Sequence, residues 1–308
     1  MTLNELKYII AVAQEKHFRK ASEKCFVSQP TLSIAIKKLE EELNVTLFER
    51  GKNDILITPI GQIIVKLAEE IIESSQNIKA LAKEHQGDFS TELKVGAIYT
   101  IGPYLFPKLV SSFHSLAPNI PLIIEDNYTH VLVDKLKRGE LDIVILSLPF
   151  EDPNIETLPL YQEPFKAIVP KSFSKLNPQS TLSLNSLSNE SVLLLGSGHC
   201  FRDQVFEAFP NLMHMDQQNN QILKRFEGSS LETIRYMVSS GVGISIFPCS
   251  SLSERDENLF EIKSLPIPVP TRIVALAWRK SFPRTKVLEL FKQALSNIEI
   301  ACTIPLNN

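Results

Sequence analysis

The stretch Phe18-Arg-Lys-Ala-Ser-Glu-Lys-Cys-Phe-Val-Ser-Gln-Pro-Thr-Leu-Ser33 decides how the front of the chain is read. Its first part predicts a short helix around 18–24 with Ala21 turned inward. Ser28 then has the side chain of a helix N-cap. Pro30 suits a first turn, where a missing N–H costs little. Beyond it, Leu32, Ile36, Leu39 and Leu43 recur at helical spacing as one apolar stripe over about four turns. Gln29, Thr31, Ser33, Lys37 and Lys38 fall on the opposite face. Upstream, Leu3, Leu6, Ile10 and Ala13 predict a helix over about 3–15. Downstream, Val45-Thr-Leu-Phe-Glu-Arg50, the polar turn Gly51-Lys-Asn-Asp and Ile55-Leu-Ile-Thr predict a two-stranded wing. These elements compose a winged helix-turn-helix over residues 1–60. Its second long helix fits a major groove, where Gln29 and the hydroxyls of Ser28, Thr31 and Ser33, started by Pro30, reach base edges. Lys37, Arg50 and Lys52 would hold phosphates. An ordinary helical bundle with a polar face shows the same pattern.

The whole chain of 308 residues has a net charge of −3, with 44% hydrophobic and 22% charged residues. This composition excludes a disordered or fibrous protein and suggests two or three domains. The acidic balance argues against a protein that coats nucleic acid. Residues 1–60 carry nine basic and eight acidic residues, and the acids at 40–42 fall late in the reading helix. DNA contact would therefore rest on where charge is placed, not on excess charge. No apolar run reaches the ~18 residues of a membrane span, and the start lacks signal-peptide character. A cytoplasmic protein with reduced thiols is expected. Cys25, Cys200, Cys249 and Cys302 are scattered, with no C-x-x-C pair, which argues against a zinc site and a disulfide framework. No metal and no cofactor is expected.

The wording of the front sharpens the choice. Phe18 to Ser33, Ile36-Lys-Lys-Leu-Glu-Glu-Glu-Leu43, Leu47-Phe-Glu-Arg50 and Leu56-Ile-Thr-Pro-Ile-Gly61 closely resemble the N-terminal domain of LysR-type transcriptional regulators. Ile34 departs from the polar or basic residue common there. Residues 62–86 form one amphipathic stretch without Pro or Gly, broken by Gln86-Gly-Asp-Phe-Ser. It is read as a linker and dimerisation helix (61–90). The resemblance implies double-stranded promoter DNA as partner, a homodimer or homotetramer, and RNA polymerase as a further partner.

Residues 91–308 alternate strand and helix. Strands are expected at 93–98, 121–125, 141–146, 167–170, 192–195, 243–248 and 271–278, and helices at 102–116, 131–138, 202–209, 230–240 and 284–297. The rhythm indicates a parallel α/β sheet. Its order resembles the two periplasmic-binding-protein-like subdomains of a regulatory domain, subdomain I at about 91–163 and 268–308 and subdomain II at about 164–267.

Gly196-Ser-Gly-His-Cys-Phe-Arg-Asp-Gln204 stands between a strand and a helix expected to start near Arg202. A thiol at a helix N-terminus meets free N–H donors and the positive end of the dipole, which favour thiolate. His199 and Arg202 would add donors and charge. Asp203 would orient Arg202, accept a proton, or favour the helix start. A Cys in such a turn is also, more commonly, a buried small hydrophobe.

This loop, with Thr100-Ile-Gly-Pro-Tyr-Leu-Phe-Pro107, Thr129-His130 and Ser230 to Ile244, resembles the OxyR-like, peroxide-sensing branch of the LysR-type family. The resemblance implies that Cys200 attacks hydrogen peroxide while Thr100, Thr129, His199, Arg202 and Asp203 hold and activate it, in an activator of the oxidative-stress response. One departure stands out. The branch carries a resolving cysteine nine residues after the first, and here that position is Phe209. Cys200 would act alone, pair with a small thiol, or be resolved by Cys249; otherwise switching is impaired. Cys249, Cys25 and Cys302 are expected to be structural. Two other classes remain: a LysR-type regulator answering a small metabolite in its cleft, and a thiol peroxidase. The peroxidase is disfavoured by the absent second Cys, so no enzyme is expected.

Overall fold

The structure, a computed structural model, describes residues 1–50, 55–85, 90–172, 192–210, 212 and 228–306. The chain divides into two compact units, Met1–Asp88 and Phe89–Asn308.

In the first unit, α1 (Leu3–Glu15) opens on a capping box. The Thr2 hydroxyl accepts from the Glu5 N–H, and the Glu5 carboxylate accepts from the Thr2 N–H at 2.7 Å. α2 (Phe18–Lys24) and α3 (Gln29–Leu43) follow. Ser28 caps α3, its Oγ accepting from the Thr31 N–H at 3.2 Å, and Pro30 occupies the first turn. The predicted stripe is buried at Leu32, Ile36 and Leu39, packed with Leu6, Ile9, Val12 and Ala21. β1 (Phe48–Arg50) and β2 (Ile55–Ile57) pair antiparallel as the wing. Glu40 fastens the wing to α3 by accepting from the Leu47 and Phe48 N–H groups at 2.7 and 3.2 Å. α4 (Pro59–His85) starts on Gly61, whose N–H donates to Thr58 Oγ1 at 2.9 Å. A Cβ there would sit 2.4 Å from the Leu47 carbonyl oxygen, so glycine is required by close approach. Ile63, Leu67, Ile71, Ile78 and Leu81 of α4 are exposed.

The second unit is built on a nine-stranded sheet. Its strands are β3 (Leu93–Ile98), β4 (Leu122–Asn127), β5 (Ile143–Leu148), β6 (Ile155–Val169), β7 (Val192–Leu193), β8 (Ile244–Pro248), β9 (Glu261–Ser264), β10 (Thr271–Arg279) and β11 (Ile304–Pro305). The order is β4-β3-β5-β10-β6-β8-β7, with β9 and β11 also paired to β6. Among the described residues, five α-helices accompany it: α5 (Gly102–Leu116), α6 (Thr129–Lys137), α7 (Cys200–Ala208), α8 (Leu231–Ser239) and α9 (Thr285–Ser296).

Three expectations are corrected. The sheet is mixed: β3 runs parallel to β4 and β5, whereas β10 is antiparallel to β5 and β6. β6 is one strand of 15 residues, where only its end was expected. Its first part pairs with β10 and its last residues with β8 and β9, so one strand belongs to two sub-sheets. Finally, α7 begins at Cys200 rather than near Arg202. Two hydrophobic cores result. One gathers β3, β5, β10, α5, α6 and α9, and the other gathers β7, β8, α7 and α8 around Phe165, Phe201 and Phe247. The winged helix-turn-helix, long helix and two-part α/β regulatory unit agree with the expected fold class.

Candidate functional site

On the first unit, Ser28, Gln29, Pro30, Thr31 and Lys37 are exposed at the start and outer face of α3, with Ser33 half-buried. The Ser28 hydroxyl is already engaged as the cap and lies 2.8 Å from Thr31 Oγ1. Lys37 pairs loosely with Glu41 at 3.6 Å, an exposed bridge that a phosphate can displace at little cost. Ile34 is 68% exposed between these polar side chains. Phe26, in the turn between α2 and α3, is 95% exposed, an apolar side chain that sequence reading did not single out. Arg50 closes β1. Lys52 and the turn at 51–54 lie outside the described residues.

On the second unit, three strand ends converge. β3 leads into Tyr99 and Thr100, β4 into Tyr128 and Thr129, and the loop after β7 into His199 and Cys200. Ligands of α/β folds collect at such C-terminal strand ends. Here Thr100, Thr129, Gly198, His199 and Cys200 line one cavity of about 10 Å³, the size of about one water molecule. Cys200 is the first residue of α7, and no side chain caps that helix. Cys200 therefore stands at the positive end of the helix dipole.

The cavity wall is unusually short of partners. Thr129 Oγ1 and His199 Nε2 are buried without a hydrogen-bond partner among the described residues. Burial pushes the His199 pKa below its ordinary value, against a hydrogen bond to the Ser229 backbone that raises it. With Nε2 unpartnered, that bond belongs to Nδ1–H. The neutral imidazole then presents bare Nε2 as an acceptor. Burial thus works against the positive charge expected on His199. The ring is held between Tyr128, at 4.8 Å, and Tyr99, at 5.8 Å between centroids. Gly198 has φ +97° and lies against the Tyr128 ring, where a Cβ would come to 3.4 Å.

Thr100 is held from below. Arg272 Nη1 donates to Thr100 Oγ1 at 2.7 Å and Nη2 to its carbonyl at 3.0 Å. A guanidinium only donates, so the Thr100 hydroxyl accepts there and keeps its own proton for another acceptor. Arg272 Nε donates to Glu163 Oε1 at 2.7 Å, both side chains fully buried, and its guanidinium lies over Phe201 at 5.1 Å. Glu163 Oε2 accepts from the Ser250 N–H at 3.1 Å. Neither Arg272 nor Glu163 was foreseen: they lie far from the sensing loop in sequence and carry no motif.

Arg202 and Asp203 are placed differently from the two threonines. Arg202 Nη1 donates to the Leu195 carbonyl at 2.9 Å, and the guanidinium lies over Phe206 at 5.2 Å. It ties the loop to the helix and does not line the Cys200 cavity. Asp203 is exposed and borders a shallow outer cavity together with Thr129, His130, Asp134 and Cys200. Phe209 is 7% exposed at the C-terminus of α7, packed in the second core.

The remaining cysteines correct the expectation of scattered thiols. Cys249 and Cys302 form a disulfide with S–S 2.07 Å and Cα–Cα 6.3 Å, while Cys25 and Cys200 are free. Cys249 is thus engaged by Cys302, which removes it as a standing thiol to resolve Cys200. Two cysteines 53 residues apart reveal no pairing in sequence. Among the described residues, no group of three or more His, Cys, Asp or Glu side chains is arranged to hold a metal, and no helix is long and apolar enough to cross a membrane.

Comparison with known proteins fits this arrangement. Residues 3–62 match the bacterial regulatory helix-turn-helix protein, lysR family, and residues 86–297 match the LysR substrate binding domain. The hydrogen peroxide-inducible genes activator of Pectobacterium carotovorum subsp. carotovorum is 34% identical, over 92% of this chain and 92% of that protein. The DNA-binding transcriptional dual regulator OxyR of Escherichia coli (strain K12) is 33% identical, over 96% of this chain and 95% of that protein. Among solved structures, a cysteine-to-aspartate variant of full-length OxyR from Pseudomonas aeruginosa matches with TM-score 0.78 and 44% identity, covering 100% of this chain and 99% of that one. A hydrogen-peroxide-bound cysteine-to-serine variant of OxyR from Corynebacterium glutamicum matches with TM-score 0.58 and 26% identity, covering 96% and 91%. With family matches to both units and such relatives along nearly its full length, the chain belongs to the LysR family of bacterial transcription regulators, in its OxyR-like branch.

Proposed function

We propose that this regulator binds double-stranded promoter DNA through residues 1–60 and senses hydrogen peroxide by oxidation of Cys200. The observation that carries the reading is the cavity at Cys200, where a thiol at a helix start meets buried polar atoms, Thr129 Oγ1 and His199 Nε2, that have no partner among the described residues. An apolar metabolite would leave those atoms unsatisfied, whereas peroxide both donates and accepts. The naming of the relatives as hydrogen peroxide-inducible activators supports the same choice. The Cys200 thiolate attacks one peroxide oxygen and the O–O bond breaks. The departing oxygen leaves as hydroxide and takes a proton, giving water and a Cys200 sulfenic acid. Thr100, its hydroxyl proton kept free by Arg272, donates a hydrogen bond to the leaving oxygen, Nε2 of His199 accepts a hydrogen bond from the O–H that stays with the sulfenic acid, and the hydroxide takes its proton from solvent.

The partner at 209 is a phenylalanine, so the sulfenic acid persists or is capped by a small thiol. Oxidation at the first residue of α7 changes the start of that helix, and a two-state packing there would carry the change to the DNA-binding domains. The exposed apolar row of α4 would join two chains, so that two reading helices meet two half-sites, in a dimer or tetramer acting with RNA polymerase in the cytoplasm. The test is sulfenate trapping on Cys200 under graded peroxide, followed by footprinting on target promoters. Modification of Cys200 with a shifted footprint is expected. A Cys200 that reacts no faster than a model thiol overturns the reading.

A further inference from the structure

We propose that Cys249 and Cys302 form a second redox site, a dithiol–disulfide couple that exchanges with small thiols of the glutathione class and fastens the C-terminal tail to β6. The site is built for one-sided attack. Cys302 is exposed, whereas Cys249 is only 3% exposed under the strand end. A thiolate from solvent would therefore attack at Cys302 rather than at Cys249. The S–S bond breaks, a mixed disulfide forms on Cys302, and Cys249 leaves as thiolate and takes a proton. A second small thiol then attacks the mixed disulfide, releasing the oxidised small molecule and the Cys302 thiol.

What the bond holds is otherwise weakly held. β11 has two residues, paired as Ile304 to Gln162 and Pro305 to Tyr161, with one further bond from the Leu306 N–H to the Leu160 carbonyl at 3.0 Å. Ile304 and Leu306 are 62% and 41% exposed, so burial adds little. Cys302 itself sits at φ +65°, a left-handed conformation that a non-glycine residue keeps only where its surroundings impose it. Once the disulfide opens, the constraint goes and the tail peels from β6.

The position gives the release a reader. Ser250, next to Cys249, donates its N–H to Glu163, and Glu163 holds the Arg272 that holds Thr100. The far end of that chain of bonds is the wall of the Cys200 cavity. The redox site does not depend on peroxide chemistry at Cys200, and disulfides of reducing compartments are mostly transient and redox-sensing.

The experiment uses the full chain with Cys200→Ser, which removes the peroxide reaction and leaves the pair. The protein is equilibrated in glutathione and glutathione disulfide at graded ratios, alkylated, and mapped by mass spectrometry. We expect the Cys249–Cys302 link to open within that range, with the glutathione adduct caught on Cys302. Amide exchange at 304–306 and 160–163 should rise several-fold in the opened form and equally in Cys302→Ser. A link absent at every ratio, a link that opens only on global unfolding, or exchange at 160–163 unchanged in Cys302→Ser each overturns the proposal. Failure of the peroxide reading would show separately, as an unreactive Cys200 in the wild-type chain.

Discussion

Cys200 and the Cys249–Cys302 pair lie in the same unit, near opposite ends of the buried hydrogen bonds that run from Ser250 through Glu163 and Arg272 to Thr100, yet their surroundings differ in kind. Cys200 begins a helix and faces polar atoms without partners. Cys249 and Cys302 face each other, one buried and one in solvent. The first setting places a single free sulfur at a helix start, with no cysteine partner among the described residues. The second setting offers a partner and an exposed point of attack. Under the proposed function, oxidation at Cys200 ends on oxygen or on an external thiol, whereas the other pair closes on itself.

The most severe break in this comparison is Cys200→Ser. The peroxide-dependent footprint should disappear altogether, and an unchanged response in target-promoter transcription sinks the one-cysteine mechanism. Next comes His199→Gln. Replacing the basic ring nitrogen by an amide, which still accepts a hydrogen bond but takes up no proton, should slow peroxide reaction of Cys200 by about 10²-fold, within the range of a positioned acid–base group, as read by stopped-flow consumption. The same variant tests linkage. Because burial lowers the folded-state pKa of His199, the unfolded chain takes the proton first as pH falls. Stability is therefore lost below the ordinary value of 6.5 and on down to the folded value. Wild-type melting temperature should fall more than that of His199→Gln between about pH 7.5 and 5.5; equal falls contradict the neutral buried imidazole.

Phe209→Cys asks whether a partner can be restored. Nine helical steps place residues 200 and 209 about 13 Å apart, too far for a disulfide, whose Cα atoms lie within ~7 Å. Truncating a core Phe should cost about 3 kcal/mol. Peroxide should then link the two cysteines only with loss of α7, seen as reduced helical circular dichroism. A link formed with helicity intact would refute the placement of α7. The smallest effects belong to the other unit. Gln29→Ala should relax sequence preference by about 1–3 kcal/mol at one base position, and Lys37→Ala should weaken binding to all sequences and flatten the salt slope by ~1. Competition binding at several salt concentrations separates the two.

How much was readable depended on range along the chain. α1, α2 and α3 were readable because stripes and caps are local: Thr2, Ser28 and Pro30 act within a turn of where they stand. The start of α7 was readable to two residues from Gly196-Ser-Gly-His-Cys. β6 was largely hidden because Pro159 and Pro164 interrupt it and its two parts serve different neighbours, so no single alternation runs its length. At the site, Thr100 and Thr129 came from resemblance, and Tyr99, Tyr128, Arg272 and Glu163 came from the fold alone.

The sequence by itself determined the helical reading head, the strand–helix alternation and the presence of a thiol at a helix start, since periodicity, caps and breakers act through neighbours a few residues away. Only the tertiary structure decided which thiol has a partner. The tail must fold back along β6 before Cys302 meets Cys249, and the strand ends at Thr100, Thr129 and Cys200 must converge before their polar atoms share a cavity. Such meetings are set by packing between residues tens to hundreds of positions apart, which no local pattern records.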